Sequence, residues 1–158
     1  MGKVVELKEL QHIRTSLRNE RKKVVFTNGC FDIIHRGHIE YLSKAKNLGD
    51  VLIVGMNSDA SCRHIKGEKR PIVPEADRAF IVANLSPVDY VCLFGEDTPY
   101  EIIKAIVPDV LVKGADWKMN DIVGKDIVEQ AGGVVSTIEF VPNRSTTNII
   151  ERILKAYS

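Results

Sequence analysis

The 158-residue sequence has no long apolar run and no excess of charge of either sign. Lys and Arg total 22 against 21 Asp and Glu, so no strong field argues for nucleic acid or an anionic membrane as a partner. No stretch approaches the length that spans a bilayer, and the opening segment MGKVVELKEL lacks the apolar core of a signal peptide. We therefore expect a cytoplasmic protein that binds neither nucleic acid nor membrane.

Cysteine is also scarce. Cys30, Cys62 and Cys92 are isolated and odd in number, and the sequence contains no Cys-x-x-Cys pair. This pattern argues against a disulfide framework and against a cysteine zinc site. We expect reduced and mostly buried thiols.

Apolar runs alternate with helical patterns along the chain, and no linker or repeat interrupts them. The predicted strands are 24–27, 51–56, 90–94, 110–113 and 134–140; the predicted helices are 4–18, 35–48, 74–85, 98–107, 122–131 and 146–157; a polar loop is predicted from 57 to 73. Short, continuously apolar strands between helices predict a parallel sheet covered on both faces. We expect a single α/β domain over residues 1–158, with a Rossmann-like, doubly wound sheet of five parallel strands in the order 3-2-1-4-5.

Polar segments follow three of the predicted strands. NGCFDIIHRGH follows the first strand, KGADW the fourth and NRSTT the fifth. In the order 3-2-1-4-5, the first and fourth strands are neighbours where the strand order reverses. Sheets of this kind bind ligands there, beyond the carboxyl ends of the strands. We therefore expect the three segments to converge on one crevice.

The usual phosphate-binding signatures are absent, because no G-x-x-x-x-G-K-[ST] occurs and no G-x-G-x-x-G follows a strand. His35 and His38, at i and i+3, instead project to one side of a helix first turn that carries free N–H groups. Gly37 between them allows a backbone or a phosphate to approach closely. The pair could hold a phosphate, could bind zinc together with Asp32, or could be a helix cap beside a partly buried histidine. The spacing alone leaves these three readings open.

The segment GCFDIIHRGH, residues 29–38, matches the Gly-x-Phe-Asp-x-x-His-x-Gly-His signature of the cytidylyltransferase-like nucleotidyltransferases. The resemblance covers residues 5–155 and includes MNSD, KGEKRPIVPEADR, VDYV, EDTP, PDVLVKGADW, IVGKDIV and STTNIIERI. Together these segments resemble the adenylyltransferase domains that make ADP-heptose, which are often fused to a sugar kinase. Because the sequence contains no kinase portion, we expect a stand-alone form.

The resemblance implies an enzyme that transfers AMP from ATP, with Mg²⁺, to D-glycero-β-D-manno-heptose 1-phosphate. The products would be ADP-heptose, for lipopolysaccharide core synthesis, and pyrophosphate, with no covalent enzyme intermediate. A homo-oligomer, most simply a dimer, is also implied. The alternatives that stay open are a glycerol-3-phosphate cytidylyltransferase, an FMN adenylyltransferase, a non-catalytic nucleotide-binding sensor and a zinc-dependent hydrolase.

The resemblance also implies roles for individual residues. His35, His38 and Lys66 would be catalytic, with Lys69 as the second choice for the loop lysine that reaches the phosphates. The nucleotide-binding residues would be Asn28, Gly29, Cys30, Phe31, Asp32, Gly37, Lys113, Gly114, Asp116, Trp117, Arg144, Ser145, Thr146 and Thr147. Asp32 would orient the loop and contact a magnesium-bound phosphate, Asp116 would bond the ribose, and Trp117 would stack on the base or sugar.

Some of these residues also have a purely structural reading. Trp117 could be a core or interface aromatic. Ser145–Thr147 could be a plain helix cap, although capping hydroxyls and free N–H groups are also what a phosphate would meet. Arg78, at the start of a predicted helix, could support catalysis or only the fold.

The sequence departs from the family pattern at two places. KGADW stands where Lys-Gly-Gly-Asp-Tyr is expected, which leaves base and sugar selectivity open. Pro142-Asn143 stands where Pro-Gly is expected, and asparagine tolerates the left-handed backbone that glycine supplies. We expect the turn at Asn143 to survive the change.

Overall fold

The computed structural model describes residues 1–142 and 144–158. The strands are β1 (Lys3–Val4), β2 (Val24–Gly29), β3 (Val51–Asn57), β4 (Tyr90–Phe94), β5 (Val110–Gly114) and β6 (Val134–Ile138). The helices are α1 (Leu7–Asn19), α2 (Arg36–Lys46), α3 (Asp59–Lys66), α4 (Glu75–Ala83), α5 (Tyr100–Ile106), α6 (Lys125–Gln130) and α7 (Thr146–Tyr157), with a 3-10 turn at Met119–Asp121. The α/β class and the parallel sheet are as predicted.

The sheet has six strands in the order β1-β4-β3-β2-β5-β6, and all its pairings are parallel. The prediction of five strands in the order 3-2-1-4-5 is therefore wrong. The five predicted segments keep their relative order, and β1 is added outside β4. Lys3 pairs with Tyr90 and Val4 with Val91 in a two-residue strand, which is too short to leave a pattern in the sequence. These residues lie at or just before the predicted helix 4–18, which begins instead at Leu7.

Each face of the sheet is covered by helices, as a parallel sheet requires. On one face, Val25 and Val54 pack with Leu42 of α2 and Val82 of α4. Burying each side chain of this size stabilises the fold by about 1.5–3 kcal/mol. This face carries the helix that begins at the two motif histidines.

On the other face, Phe26 and Ile53 pack with Leu10 of α1, Ile103 of α5 and Val128 of α6. The alternation of Val25 and Phe26 between the two cores follows from the period of two along a strand. Because β2 lies between β3 and β5, the reversal of strand order falls at its carboxyl end. Among the described residues, no helix combines the length and apolar character needed to cross a membrane.

The segment from residue 57 to 73 was predicted as a loop, and that prediction is wrong for its first half. Ser58 caps α3, because its side-chain oxygen accepts a hydrogen bond from the Ser61 N–H at 3.2 Å. Asp59 adds a negative charge to the first turn, which favours a helix N-terminus. The helix ends at Gly67, whose φ of 96° is a conformation that favours glycine.

Candidate active site

A cavity of about 360 Å³ opens at the carboxyl ends of β2, β3 and β5, where the strand order reverses. The predicted site residues that line it are Asn28, Gly29, Cys30, Phe31, Asp32, His38, Lys66, Lys113, Gly114 and Trp117. The other predicted residues, His35, Gly37, Asp116, Arg144, Ser145, Thr146 and Thr147, are outside this lining. The polar segments after β2 and β5 therefore meet at one cavity. The described residues of the predicted third segment, before α7, do not line it and instead contact the histidine loop.

A larger cavity, of about 580 Å³, lies at the amino ends of the strands, far from the predicted motif. Its buried cation, Arg14, donates to the carbonyl oxygens of Ile106 and Val107 and to the Asp109 carboxylate, each at 3.0 Å. Arg14 is thus committed to holding α1 against the end of α5. We therefore place the functional site at the smaller cavity.

His35 is the N-cap of α2. Its Nδ1 accepts a hydrogen bond from the Gly37 N–H at 3.1 Å, so the ring proton of the neutral form is on Nε2. Burial, and then the positive charge of Arg144, lower the pKa of His35. A Cβ at Gly37 would lie 3.0 Å from the His35 ring, which explains why glycine stands between the histidines.

His38 stacks on His35, with ring centroids 3.9 Å apart. Its Nδ1 is buried and has no hydrogen-bond partner among the described residues. Burial, together with the charge of His35, lowers the pKa of His38 to about 4, although Asp32 acts in the opposite direction. A buried polar atom without a partner is costly, so an atom of this kind beside a cavity fits a ligand that supplies the missing bond.

Phe31 keeps the loop after β2 in a strained shape. Its φ of 49° lies in the left-handed region, which costs a non-glycine residue about 1–3 kcal/mol. The Phe31 ring packs over Gly29, where an added Cβ would lie 3.0 Å from the ring. The centroids of the Phe31 and His38 rings are 5.4 Å apart. The strained backbone brings the Gly29–Phe31 segment and His38 to the same side of the cavity.

Asp32 is nearly fully buried and forms hydrogen bonds with residues 70–73, which are distant in sequence. Its carboxylate accepts hydrogen bonds from the Ile72 N–H at 2.9 Å, the Val73 N–H at 2.8 Å and Arg70 Nε at 2.6 Å. Burial acts to raise the pKa of Asp32, and these bonds outweigh it and hold the pKa below its usual value. These bonds tie the loop after β2 to residues 70–73, and the orienting role of Asp32 stays a prediction. A contact between Asp32 and bound magnesium is disfavoured, because both carboxylate oxygens already accept hydrogen bonds.

The loop lysines are separated by the end of α3. Lys66, the last residue of the helix, lines the cavity, whereas Lys69 is exposed and outside the lining. The placement favours Lys66 as the lysine that reaches a ligand. Arg70 also lines the cavity, but its guanidinium is paired with Asp32.

Arg78 is a fully buried cation behind the cavity wall. It donates to the carbonyl oxygens of Cys30, of Asn57 at 3.0 Å and of Val73 at 2.9 Å, and to Asp59 Oδ1 at 2.7 Å. It joins the ends of β2 and β3 to α3 and to the segment held by Asp32. Arg78 is therefore a positioning residue and not a ligand-contacting one.

Lys113 brings a nearly buried cation to the cavity from the end of β5. Its Nζ donates to Asn28 Oδ1 and lies 5.6 Å from the Trp117 ring centroid. Burial lowers the pKa of Lys113 to about 8, against the opposing effect of Asp116. Among the described carboxylates, none forms an ion pair with Lys113. This cation is thus available to an anionic ligand.

Phe140 and Tyr41 line the cavity and were missed by the sequence reasoning. Their rings stack with centroids 5.6 Å apart. Phe140 lies directly over Gly114, where a Cβ would come within 2.2 Å of its Cζ. Both aromatics look like ordinary core residues in the sequence. The one sequence signal that could have placed an aromatic at the cavity is the position of Phe140 at the predicted carboxyl end of the last strand.

The N-terminus of α7 is docked beside the histidine loop. Ser145 caps the helix by accepting from the Asn148 N–H at 3.1 Å, and the buried Thr146 donates to the Ile33 carbonyl oxygen at 3.4 Å. Arg144 lies next to Gly37, where a Cβ would be 3.3 Å from the Arg144 Cβ. Thr147 is exposed. The predicted turn at Asn143 lies outside the described residues.

The zinc reading of the histidine pair gains no support from this geometry. The described residues contain no group of three or more His, Cys, Asp or Glu side chains able to hold a metal ion. Asp32, the carboxylate that the zinc reading would require, is taken up by the backbone at Val73 and by Arg70. The arrangement instead offers neutral imidazoles, free cations and helix N-terminal N–H groups, which are donors for phosphate oxygens.

Nearly the whole chain is similar in sequence to one part of several longer curated proteins. The chain is 52% identical over 99% of its length to the Bifunctional protein HldE of Citrifermentans bemidjiense and 54% identical to that of Geobacter metallireducens. It is 50% identical over 94% of its length to that of Helicobacter pylori. The chain spans about a third of these relatives, covering 32%, 32% and 31% of their lengths.

Solved structures share the fold. A lipopolysaccharide core biosynthesis protein from Thermoplasma volcanium is 30% identical, with a TM-score of 0.63 over 76% of this chain and 97% of that one. A pantoate-beta-alanine ligase from Francisella tularensis, at 17% identity and a TM-score of 0.65, shares the fold alone. A family model described as Cytidylyltransferase-like matches residues 26–152. The chain therefore belongs to the cytidylyltransferase-like family of nucleotidyltransferase enzymes.

Proposed function

We propose that this chain transfers AMP from ATP to D-glycero-β-D-manno-heptose 1-phosphate, giving ADP-heptose for lipopolysaccharide core synthesis and releasing pyrophosphate. The observation that carries the transfer chemistry is the stacked His35–His38 pair beside the Gly29–Phe31 segment. One buried ring nitrogen of the pair has no hydrogen-bond partner in the described part of the chain. The choice of substrate is supported by the resemblance to ADP-heptose-forming domains and by the identity to the HldE proteins. The likeness to a lipopolysaccharide core biosynthesis protein agrees with it.

The reaction is an in-line displacement at the α-phosphorus of ATP. A phosphate oxygen of the sugar 1-phosphate forms the new bond to this phosphorus, and the bond to the oxygen bridging the α- and β-phosphates breaks. Pyrophosphate leaves with that oxygen. A phosphate monoester is already anionic near neutral pH, so no side chain has to act as a strong base. Positioning and charge neutralisation are the tasks left to the protein.

The histidine pair would supply donors that strengthen as charge develops. His35 Nδ1 is occupied by Gly37, so its Nε2–H is free to donate to a phosphate oxygen. His38 is neutral at physiological pH because its pKa is about 4, and an adjacent phosphate would favour its protonated form. Donors of this kind stabilise the transition state more than the ground state.

Lysine and arginine side chains would offset the remaining charge. Lys66 approaches from α3, Lys113 from β5 and Arg144 from the segment before α7. Ser145, Thr146 and the N-terminus of α7 would bind the triphosphate through hydroxyl and N–H groups. The nucleoside would lie towards Asp116 and Trp117, with the ribose on Asp116.

Magnesium would enter with ATP and neutralise part of the triphosphate charge. Asp32 and Asp97 are the carboxylates in the cavity lining, and Asp97 lies 2.7 Å from His64 Nδ1. With Asp32 fully bonded, this set suits an ion held mainly by phosphate oxygens and water, which is how Mg²⁺ usually binds nucleotides. We also propose a dimer in the cytoplasm, to be checked by light scattering and by cell fractionation.

The test is pyrophosphate release with Mg²⁺, crossing ATP and CTP with heptose 1-phosphate, glycerol 3-phosphate and FMN. His38→Ala runs beside the wild type, and His12→Ala, at an exposed position of α1, is the matched control. We expect release only with ATP and heptose 1-phosphate, a loss of about 10²–10³ in kcat for His38→Ala and no change for His12→Ala.

The other outcomes separate the alternatives. Release with CTP and glycerol 3-phosphate, or with ATP and FMN, would keep the mechanism and overturn the substrate. Nucleotide binding without release in any mixture would favour a sensor. A His38→Ala variant as active as the wild type would remove the role assigned to the histidine pair.

A further inference from the structure

The larger cavity, of about 580 Å³, carries a concentration of positive charge that the proposed transfer reaction does not use. It lies at the amino ends of β2, β5 and β6, at the end of the sheet opposite the histidine pair. Its volume falls within the range of small-molecule sites, about 300–1,000 Å³. Among the described residues that line it, Asp109 is the one acidic residue, and the cations are Arg14, Arg18, Arg21, Lys22 and Lys23.

The acidic groups near this cavity are already engaged by the fold. Asp109 Oδ1 accepts a hydrogen bond from Arg14 at 3.0 Å, and Asp109 Oδ2 accepts one from the Val24 N–H at 2.7 Å. The exposed Asp50, which accepts from the Lys23 N–H at 2.7 Å, lies outside the lining. The ion pairs found in the described part of the chain include none with Arg18, Arg21, Lys22 or Lys23.

Helix C-termini account for part of this positive charge. The helices α1, α5 and α6 end at the cavity, and cations are favourable beside the negative end of a helix dipole. Each helix end carries at most about half a negative charge, so the three ends and Asp109 together offset about half of the charge of the five cations. One phosphate group carries a charge of about −1.5 to −2 near neutral pH. Two or more linked phosphate groups would therefore neutralise the excess.

Two guanidinium groups of the lining are held in place before any ligand binds. Arg14 is buried, and its Nε and Nη2 donate to the carbonyl oxygens of Ile106 and Val107, each at 3.0 Å. Its remaining nitrogen, Nη1, has no hydrogen-bond partner among the described residues and is not fully buried, so a ligand in the cavity can reach it. Arg18 Nη2 donates to the same Val107 oxygen at 3.3 Å. Guanidinium groups match the geometry of phosphate oxygens, and fixing them beforehand reduces the entropy lost on binding.

From this arrangement we propose that the larger cavity is a second ligand site, which binds a polyphosphate group, either free or as part of a nucleotide. Arg14 and Arg18 are the fixed donors of this site, and Arg21, Lys22 and Lys23 supply the surrounding positive charge. The second site is independent of the proposed function, since the linings of the two cavities share no residue.

The experiment follows the amide signals of the isotope-labelled full chain by NMR during titration with tripolyphosphate, pyrophosphate, orthophosphate and ATP, without magnesium. The amides of Gly132 and Gly133 report the larger cavity, and those of Gly29 and Gly37 report the candidate active site. Tripolyphosphate and pyrophosphate should shift the signals of Gly132 and Gly133, and orthophosphate should bind there at least about tenfold more weakly. An equal shift with ATP would identify nucleotides as the source of the polyphosphate group, and a shift with tripolyphosphate alone would identify the free anion.

The double variant Arg18→Gln/Lys22→Gln removes two cations from exposed positions of the lining and keeps the structural Arg14. The affinity for tripolyphosphate, measured from the amides of the larger cavity, should fall by about tenfold or more, because two charged donors are lost. The shifts at the candidate active site should stay as in the wild type. The matched control, Lys3→Gln/Lys8→Gln, loses the same net charge at exposed positions outside the lining and should bind as the wild type does.

Three outcomes would overturn the second site. The first is that Gly132 and Gly133 do not respond to tripolyphosphate at millimolar concentration. The second is that the lining variant and its control bind tripolyphosphate equally well. The third is that an RNA oligonucleotide shifts the same two amides at lower concentration than tripolyphosphate, which would make the cavity part of a nucleic-acid surface. A wild type that releases no pyrophosphate would end the proposed function, and the amide shifts would still decide whether the second site exists.

Discussion

The imidazole rings of His35 and His38 lie face to face, with centroids 3.9 Å apart and planes inclined by 28°. Charging both rings at this distance would be unfavourable, and both lie where burial already disfavours charge. The pair is therefore held neutral in the folded protein near pH 7. This neutrality links the site to the stability of the fold at acid pH.

Replacing His38 with Gln should flatten the loss of stability on acidification. The pKa of His38 is about 4 in the fold and about 6.5 in the unfolded chain, so between these values only the unfolded chain binds the proton. The contribution of the neutral ring to the free energy of unfolding is complete above pH 6.5 and is lost as the pH falls to 4. The total loss is up to about 3 kcal/mol. Urea unfolding of both proteins between pH 7 and pH 4 measures the difference. His12→Gln, at an exposed position, should keep the wild-type slope.

Lys113→Met should give a more stable but less active protein. The substitution removes a buried cation that forms no ion pair with a carboxylate of the described residues, at the cost of the bond to Asn28. Because the pKa of Lys113 falls from 10.5 to about 8, the charge disfavours folding at pH 7 by up to about 3 kcal/mol. The wild type should gain stability between pH 8 and 10.5, and the variant should lack this rise. Unfolding at several pH values and nucleotide titration are the measurements; a variant that binds ATP normally would contradict the role of Lys113.

Arg78→Met should lower the free energy of unfolding by about 3–5 kcal/mol, because it removes the buried cation that binds Asp59 and donates to three backbone carbonyl groups. The matched control is Arg63→Met at an exposed position of α3, which should change stability by less than about 0.5 kcal/mol. Chemical denaturation measures both. Equal, small effects of the two variants would show that Arg78 does not hold these segments together.

Gly114→Ala should displace Phe140, because the added Cβ would lie 2.2 Å from the Phe140 Cζ. Overpacking of this kind typically costs about 1–3 kcal/mol. A double-mutant cycle with Phe140→Ala should give a favourable coupling of about 1 kcal/mol or more, since the second change removes the clash. Gly95→Ala, which would meet only Ser58 Oγ at 3.9 Å, is the control. If the effects of the two substitutions are additive, the added Cβ clashes with a residue other than Phe140, for example with Asp116.

The sequence predicts those parts of the fold that depend on long apolar runs. The central strands from Val51 and Tyr90 begin where predicted, because continuous burial leaves a strong signal. The strand at Lys3–Val4 is formed by partners far along the chain, at Tyr90 and Val91, and no local pattern reveals it. Helix α3 is short and polar, and only its Ser58 cap marks it.

The same distinction applies to the site. The motif residues around His35 and His38 stand close together in sequence, so their placement at one helix N-terminus follows from spacing. The partners of Asp32, at Arg70, Ile72 and Val73, are some 40 residues away, and pairing at that range depends on the path of the whole chain. The covering of Gly114 by Phe140 is a tertiary contact of the same kind.

The single guanidinium of Arg78 has a mechanical consequence. It donates hydrogen bonds both to carbonyl groups at the ends of β2 and β3 and to the carboxylate of Asp59. One wall of the cavity, from the Cys30 segment to α3, is thus cross-linked through one side chain. We therefore expect a rearrangement of the cavity to involve the side that carries Trp117 and Phe140.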